Sequence, residues 1–248
     1  MNSYDLIIGI YACDTIDKYK EQIHKINETY GDYTKKNYPN IRILYFLGEE
    51  KVLEGPDYIH LPGVGNDYFS ASLKQFEGLK YIHDNFNTKY IMFIGTDTYP
   101  NIKKLINFCL NFNPEDNLYI GGHGDIRNID KPIYFHSGGP GFILTKGCLT
   151  KLYPLIDSGF KEYIDICNKL ELTYLIPACD VAIAHILKKP EINSDVICNE
   201  NFKHCNYKQT ADGCGCNKVK ISDLISCHNN TLNDFDEYTK ILNENNHF

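Results

Sequence analysis

Residues 90–101, Tyr-Ile-Met-Phe-Ile-Gly-Thr-Asp-Thr-Tyr-Pro-Asn, end an apolar run on one carboxylate, Asp97. Just past the carboxyl end of a central strand is where open α/β sheets bind ligands, so the position makes Asp97 a candidate ligand-binding group. Thr-Asp-Thr before a proline is equally ordinary turn chemistry, and a turn or helix-capping Asp has the same claim on the position. Gly138, Gly139 and Gly141 form a second chemically suggestive stretch, because glycines let backbone approach a ligand closely or simply serve a turn. The third is Cys198, Cys205, Cys214 and Cys216 with His204 among them. It offers a structural zinc site, disulfides or free thiols, and its spacing departs from paired C-x₂₋₄-C hooks.

These residues need elements to position them. Residues 90–94 are too few for a capped helix and rich in aromatic and branched side chains, which predicts a strand buried on both faces. Pro100 opens a stretch in which Ile102, Leu105, Ile106, Cys109 and Phe112 recur at helical spacing. Upstream, residues 6–12 predict a first buried strand, with Asp14 or Thr15 capping a helix to about Tyr30. Residues 41–47 and 58–61 predict two more strands. A helix from Asn66 carries Phe69, Leu73, Phe76, Leu79 and Ile82 on one face. Downstream come a strand over 118–122, the Gly-rich stretch within 134–145, then helices around 146–156 and 179–187. Residues 188–218 have few apolar periods and predict a long excursion. Thr231-Leu-Asn-Asp234 forms a capping box before a last helix. Strands alternating with helices predict an α/β fold with a mostly parallel central sheet flanked by helices. Without an internal repeat or linker, residues 1–248 read as a single domain with a Cys-rich excursion at about 190–218.

Composition narrows the partners. A formal net charge of −7 over 248 residues argues against nucleic acid, which is bound through clustered Lys and Arg. There is no G-x-G-x-x-G after the first strand and no Walker pattern, which disfavours a dinucleotide site and a P-loop. No signal peptide, anchor or integral membrane segment is visible, so a cytoplasmic location is expected, and ten cysteines there are thiols or metal ligands more readily than a disulfide framework. Abundant Asn, Ile, Lys, Tyr and Phe with no Trp fits an AT-rich genome.

The order of the motifs resembles the inverting glycosyltransferases of family 31, the group that includes Fringe and core 1 galactosyltransferase. Gly95-Thr96-Asp97-Thr98-Tyr99 is similar to that family's Asp-Asp-Asp-Thr-Tyr. Ser137-Gly138-Gly139-Pro140-Gly141-Phe142-Ile143-Leu144-Thr145 resembles its Ser-Gly-Gly-x-Gly-Tyr-Val-Leu-Ser. Cys179-Asp180-Val181 resembles its acidic pair ahead of a hydrophobic helix, and His228 its His before the C-terminal helix. Asn27 to Tyr30, Tyr45 to Gly48, and Asp67-Tyr68 with Leu73-Lys74 match upstream motifs more loosely.

The resemblance implies a GT-A fold, a UDP-sugar donor such as UDP-Gal, UDP-GlcNAc or UDP-Glc, Mn²⁺ or another divalent cation, and a glycan or glycoprotein acceptor. By it, Asp97 and His228 hold the metal and Asp180 is the base that inversion requires. Gly95, Thr96, Asp97, Lys74, Gly138 and Gly139 are implied to meet the donor, although a solvated helix position has an equal claim on Lys74. The family's first two acidic positions are Gly95 and Thr96 here, and Cys179 replaces an acid. That departure motivates two alternatives, a catalytically silent member that binds nucleotide-sugar or glycan and a Cys-rich, zinc-stabilised interaction protein.

Overall fold

The computed structural model describes residues 2–210 and 218–244. The first half runs β1 (Asn2–Tyr11), α1 (Asp17–Ile26), α2 (Asp32–Asn37), β2 (Ile41–Leu47), β3 (Tyr58–His60), α3 (Ser70–Asn85) and β4 (Phe86–Ile94). Then follow β5 (Tyr99–Pro100), α4 (Ile102–Cys109), β6 (Leu118–Gly121), β7 (Asp125–Asn128), β8 (Pro132–Phe135), β9 (Phe142–Thr145), α5 (Lys146–Leu152), α6 (Ile156–Lys169) and α7 (Cys179–Leu187). The chain continues with β10 (Asp195–Cys198), β11 (Phe202–Lys203), α8 (Tyr207–Thr210), β12 (Ser226–Cys227) and α9 (Leu232–Glu244).

Seven strands make the main sheet in the order β10-β6-β9-β4-β1-β2-β3. It is parallel except for β9, which runs antiparallel to both β4 and β6. Strand β1 is central, paired with β2 on one side and β4 on the other, and its side chains enter a core on each face of the sheet. That is why its sequence is a continuous apolar run. Ile7 joins Phe46, Phe76, Phe93 and Ile183 in one core, while Leu6, Ile8 and Ile10 join Ile23, Met92, Leu105 and Phe235 in the other.

Several boundaries differ from the sequence expectation. Asp14 does not cap α1; it is buried and accepts the backbone N–H groups of Val52 and Leu53 at 3.0 and 2.9 Å. Helix α3 starts at Ser70, not Asn66, because Asp67 accepts both the Ser70 N–H and its hydroxyl and so ends the loop. Pro100 lies in β5, and the helix after it is capped by Asn101, whose side chain accepts the Lys104 N–H at 3.1 Å. Helix α6 was not expected, although Ile156, Phe160, Tyr163 and Cys167 are buried at helical spacing. The excursion after α7 returns β10 to the edge of the main sheet. The capping box of α9 is present: Asp234 accepts the Thr231 N–H at 2.9 Å, and its own N–H donates to the Thr231 hydroxyl at 3.2 Å.

Candidate active site

Asp97 and His228 are brought together by two very short strands. β5 pairs antiparallel with β12, with Tyr99 opposite Cys227, so the residues just before β5 and just after β12 emerge at the same end. Asn230 locks the pair by donating its backbone N–H and its side-chain amide to the Asp97 carbonyl at 3.0 and 3.2 Å. The result is an Asp97 Oδ1 to His228 Nε2 separation of 3.2 Å. Burial alone would raise the Asp97 pKa. The hydrogen bond and charge of His228 outweigh it, the charge of Lys18 adds to them, and the carboxyl sits below its ordinary value.

The glycine-rich loop closes the site from the other side. The Thr98 hydroxyl donates to the Gly139 carbonyl at 2.6 Å, and the Ser226 hydroxyl to that of Pro140 at 2.6 Å. A Cβ on Gly139 would overlap the His228 ring, and one on Gly138 would come within 3.0 Å of the Asp180 Cβ. These two glycines are therefore required by the protein's own site residues. At Gly141, φ of +86° adds a backbone reason for glycine.

Asp180 lies in the first turn of α7. Its Oδ2 accepts the Gly138 N–H at 3.0 Å and its Oδ1 the Val181 N–H at 2.9 Å. Burial pushes its pKa up, against the opposing pull of those two N–H groups, so the carboxylate is readier than a free aspartate to take a proton. Helix α7 begins at Cys179 with Ala178 at its N-cap, so Asp180 is not the cap expected for a helix from Val181; it lies inside the first turn and borders the cleft.

Lys74 is not a solvated helix residue. It is 3% exposed and donates from Nζ to the Ala12 carbonyl at 2.6 Å and to Asn66 Oδ1 at 3.0 Å. Burial lowers its pKa, with Cys13, Asp14 and Asp67 opposing. The Thr96 hydroxyl is committed to Gln22 Oε1 at 2.5 Å. At Gly95 an added Cβ would meet Asp97 Oδ1 at 3.2 Å and the Tyr11 hydroxyl at 3.5 Å, so residue 95 opens on the space these two groups share.

Asp97, His228, Asp180, Lys74, Gly95, Thr96, Gly138 and Gly139 border one cleft of about 640 Å³ at the carboxyl ends of β1 and β4. A space of that size suits a nucleotide-sized ligand. Its other wall was missed by sequence reasoning: Ile16, Lys18, Tyr19 and Gln22 from α1 and its approach, and Tyr11 at the end of β1. The strand-end rule that singled out Asp97 applies equally to Tyr11 and could have found it.

Among the described residues no three His, Cys, Asp or Glu side chains gather as a metal site. A divalent ion here would take two protein ligands. Adjacent ligands of a small octahedral ion at about 2.1 Å stand roughly 3 Å apart. Asp97 Oδ1 and His228 Nε2, 3.2 Å apart, meet that spacing, and a carboxylate with an imidazole suits Mn²⁺-like ions. In the Cys-rich segment, Cys205 is disulfide-bonded, while Cys198 is an exposed thiol 3.1 Å from the Tyr134 hydroxyl. Cys214 and Cys216 lie outside the described residues.

The sheet and its cleft define the class. Galactosyltransferase LgtC, solved with donor and acceptor sugar analogues, superimposes with a TM-score of 0.53 at 12% identity, covering 95% of each chain. The fold is GT-A. The Fringe-like family profile matches residues 64–239, and the chain belongs to that family of glycosyltransferases. Chondroitin sulfate synthase 3 of Homo sapiens is 34% identical over 113 residues, 42% of this chain and 13% of that protein, and the Mus musculus protein matches to the same extent. The chain thus spans a small part of these relatives' length. No helix among the described residues is long and apolar enough to cross a membrane.

Proposed function

We propose that this glycosyltransferase is inverting and metal-dependent, and moves a hexose from a UDP-sugar to a hydroxyl of a glycan or glycosylated protein. The observation that carries the reading is the convergence of Asp97, His228 and Asp180 on one cleft. Asp97 and His228 would hold a divalent cation. That cation, when bound, supplies positive charge to the departing diphosphate. Asp180 takes the proton of the acceptor hydroxyl as its oxygen forms a bond to the sugar's anomeric carbon. The bond from that carbon to the diphosphate breaks with inversion, and UDP leaves with the electron pair. The two N–H groups on Asp180 hold the carboxylate in place through this transfer. Lys74, Gly95, Thr96, Gly138 and Gly139 are proposed to border the donor.

The test is UDP release from a panel of UDP-sugars with Mn²⁺ present or chelated. Turnover that needs Mn²⁺ and drops by about 10²-fold or more in Asp180→Asn supports the assignment, given the usual size of acid–base effects. Wild-type turnover in that variant removes Asp180 from the mechanism. A second reading, a silent member that binds nucleotide-sugar without transfer, is favoured by the absence of carboxylates at Gly95 and Thr96. Calorimetric UDP binding without UDP release on any acceptor would select it.

A further inference from the structure

Several large apolar side chains are exposed at the mouth of the cleft, around the start of α3 and on the segment before α7. Tyr68 is 74% exposed, Phe69 61% and Tyr174 69%, and Ile16 and Leu73 are also open to solvent. Large exposed aromatics gathered in one place are informative in a way that scattered ones are not. Tyr68 and Ile16 border the cleft itself. Phe69 stands at the start of α3, and Leu73 one turn on. Two hydrogen bonds tie α3 to the segment leading into α7: Ser72 Oγ donates to the Ile176 carbonyl at 3.0 Å, and Gln75 Nε2 to the Cys179 carbonyl at 2.9 Å. They hold the segment that carries Tyr174, two residues before Ile176, against the first turns of α3, and that segment leads directly to Asp180.

A base in a cleft needs its substrate hydroxyl delivered from the open side. Sugar rings are amphipathic, with an apolar C–H face and polar edges, and rigid aromatic side chains with a polar tip are suited to such ligands. We propose that Tyr68, Phe69 and Tyr174 form the acceptor subsite, stacking on the apolar face of a neutral hexopyranose whose hydroxyl then reaches Asp180. The inference rests on the reading of Asp180 as base. Tyr68, Phe69 and Tyr174 carry no formal charge, which suits a neutral sugar.

Saturation-transfer NMR on the full chain, with and without UDP and Mn²⁺, tests this using methyl β-galactoside, methyl β-N-acetylglucosaminide and, as the anionic control, methyl β-glucuronide. A neutral glycoside should show transfer to its ring C–H protons. Tyr68→Ala and Tyr174→Ala should each weaken its affinity by about tenfold, the scale of one aromatic contact, and Tyr68→Phe should not. Both aromatics are exposed, so the variants retain the fold, and a UDP thermal shift checks the cleft. Absence of transfer from every neutral glycoside, or unchanged transfer in both alanine variants, overturns the subsite. So does loss in those variants of phosphatidylcholine-vesicle binding without sugar contact, which would make the rim a membrane surface. Intact transfer chemistry in Asp180→Asn alongside preserved sugar contacts would instead remove the base and leave the platform standing.

Discussion

The imidazole of His228 rests against Gly139 so closely that a single carbon added to residue 139 would overlap its Nδ1. The ring's other nitrogen faces Asp97 at 3.2 Å, so whatever moves the ring breaks the pair. Gly139→Ala should therefore abolish Mn²⁺-dependent UDP binding, measured by calorimetry. The overpacking should cost only about 1–3 kcal/mol of stability. Unchanged Mn²⁺ dependence would show that His228 is not a ligand.

Asp180 predicts a pH signature. Its pKa is raised by burial, and a base works only when ionised, so transfer should fall as pH drops through that raised value. The acid limb of kcat should lie above the ordinary carboxylate range. For stability the sign is the reverse: a raised folded pKa favours the fold at low pH and is a liability once Asp180 ionises, so Asp180→Asn should gain most relative to wild type above that pKa. A limb at or below the ordinary carboxylate range would exclude Asp180 as the titrating base.

Lys74→Met keeps length and removes charge. The variant loses two buried hydrogen bonds, to Ala12 and Asn66, and is relieved of burying an ammonium group. These effects oppose one another, and net stability should change by less than about 2 kcal/mol. UDP affinity should fall roughly tenfold if the lysine meets the diphosphate, as a charge-assisted contact is worth about 1.5–3 kcal/mol. Full affinity would make Lys74 a purely structural tie between α3 and the end of β1.

Thr98→Val preserves shape and removes the hydroxyl that donates to the Gly139 carbonyl at 2.6 Å. The lost hydrogen bond should destabilise by about 1 kcal/mol, or roughly 2–4 °C in Tm for a chain of this size. Activity should fall by more than this loss of stability explains, since Thr98 joins the Asp97 turn to the glycine-rich loop. A matched loss of stability without loss of activity would show the two loops position themselves independently.

Much of the sheet was legible because buried strands write themselves as apolar runs, as in Leu6 to Ile10 and Tyr90 to Ile94. Helix α6 left a readable trace in Ile156, Phe160, Tyr163 and Cys167. β10 did not, because a four-residue edge strand, Asp-Val-Ile-Cys, carries too little periodicity to stand out. Asp14 misled because capping is a local rule. Its partners, the N–H groups of Val52 and Leu53, come from a distant loop that only the fold brings near.

The sequence by itself determined the family, the order of its motifs and the residue types able to bind a cation and move a proton. Local chemistry and patterning carry that information. Only the tertiary structure decided that Asp97, His228 and Asp180 share one cleft, because the β5–β12 pairing that joins Asp97 to His228 is two residues long and Asp180 is tied in from α7 through the Gly138 N–H. It also decided why residues 138 and 139 are glycine: the space a side chain would need is already filled by Asp180 and His228. Of the two readings the sequence left open for Lys74, the fold removed the solvated one, since burial depends on what packs over a residue and not on its neighbours in the chain.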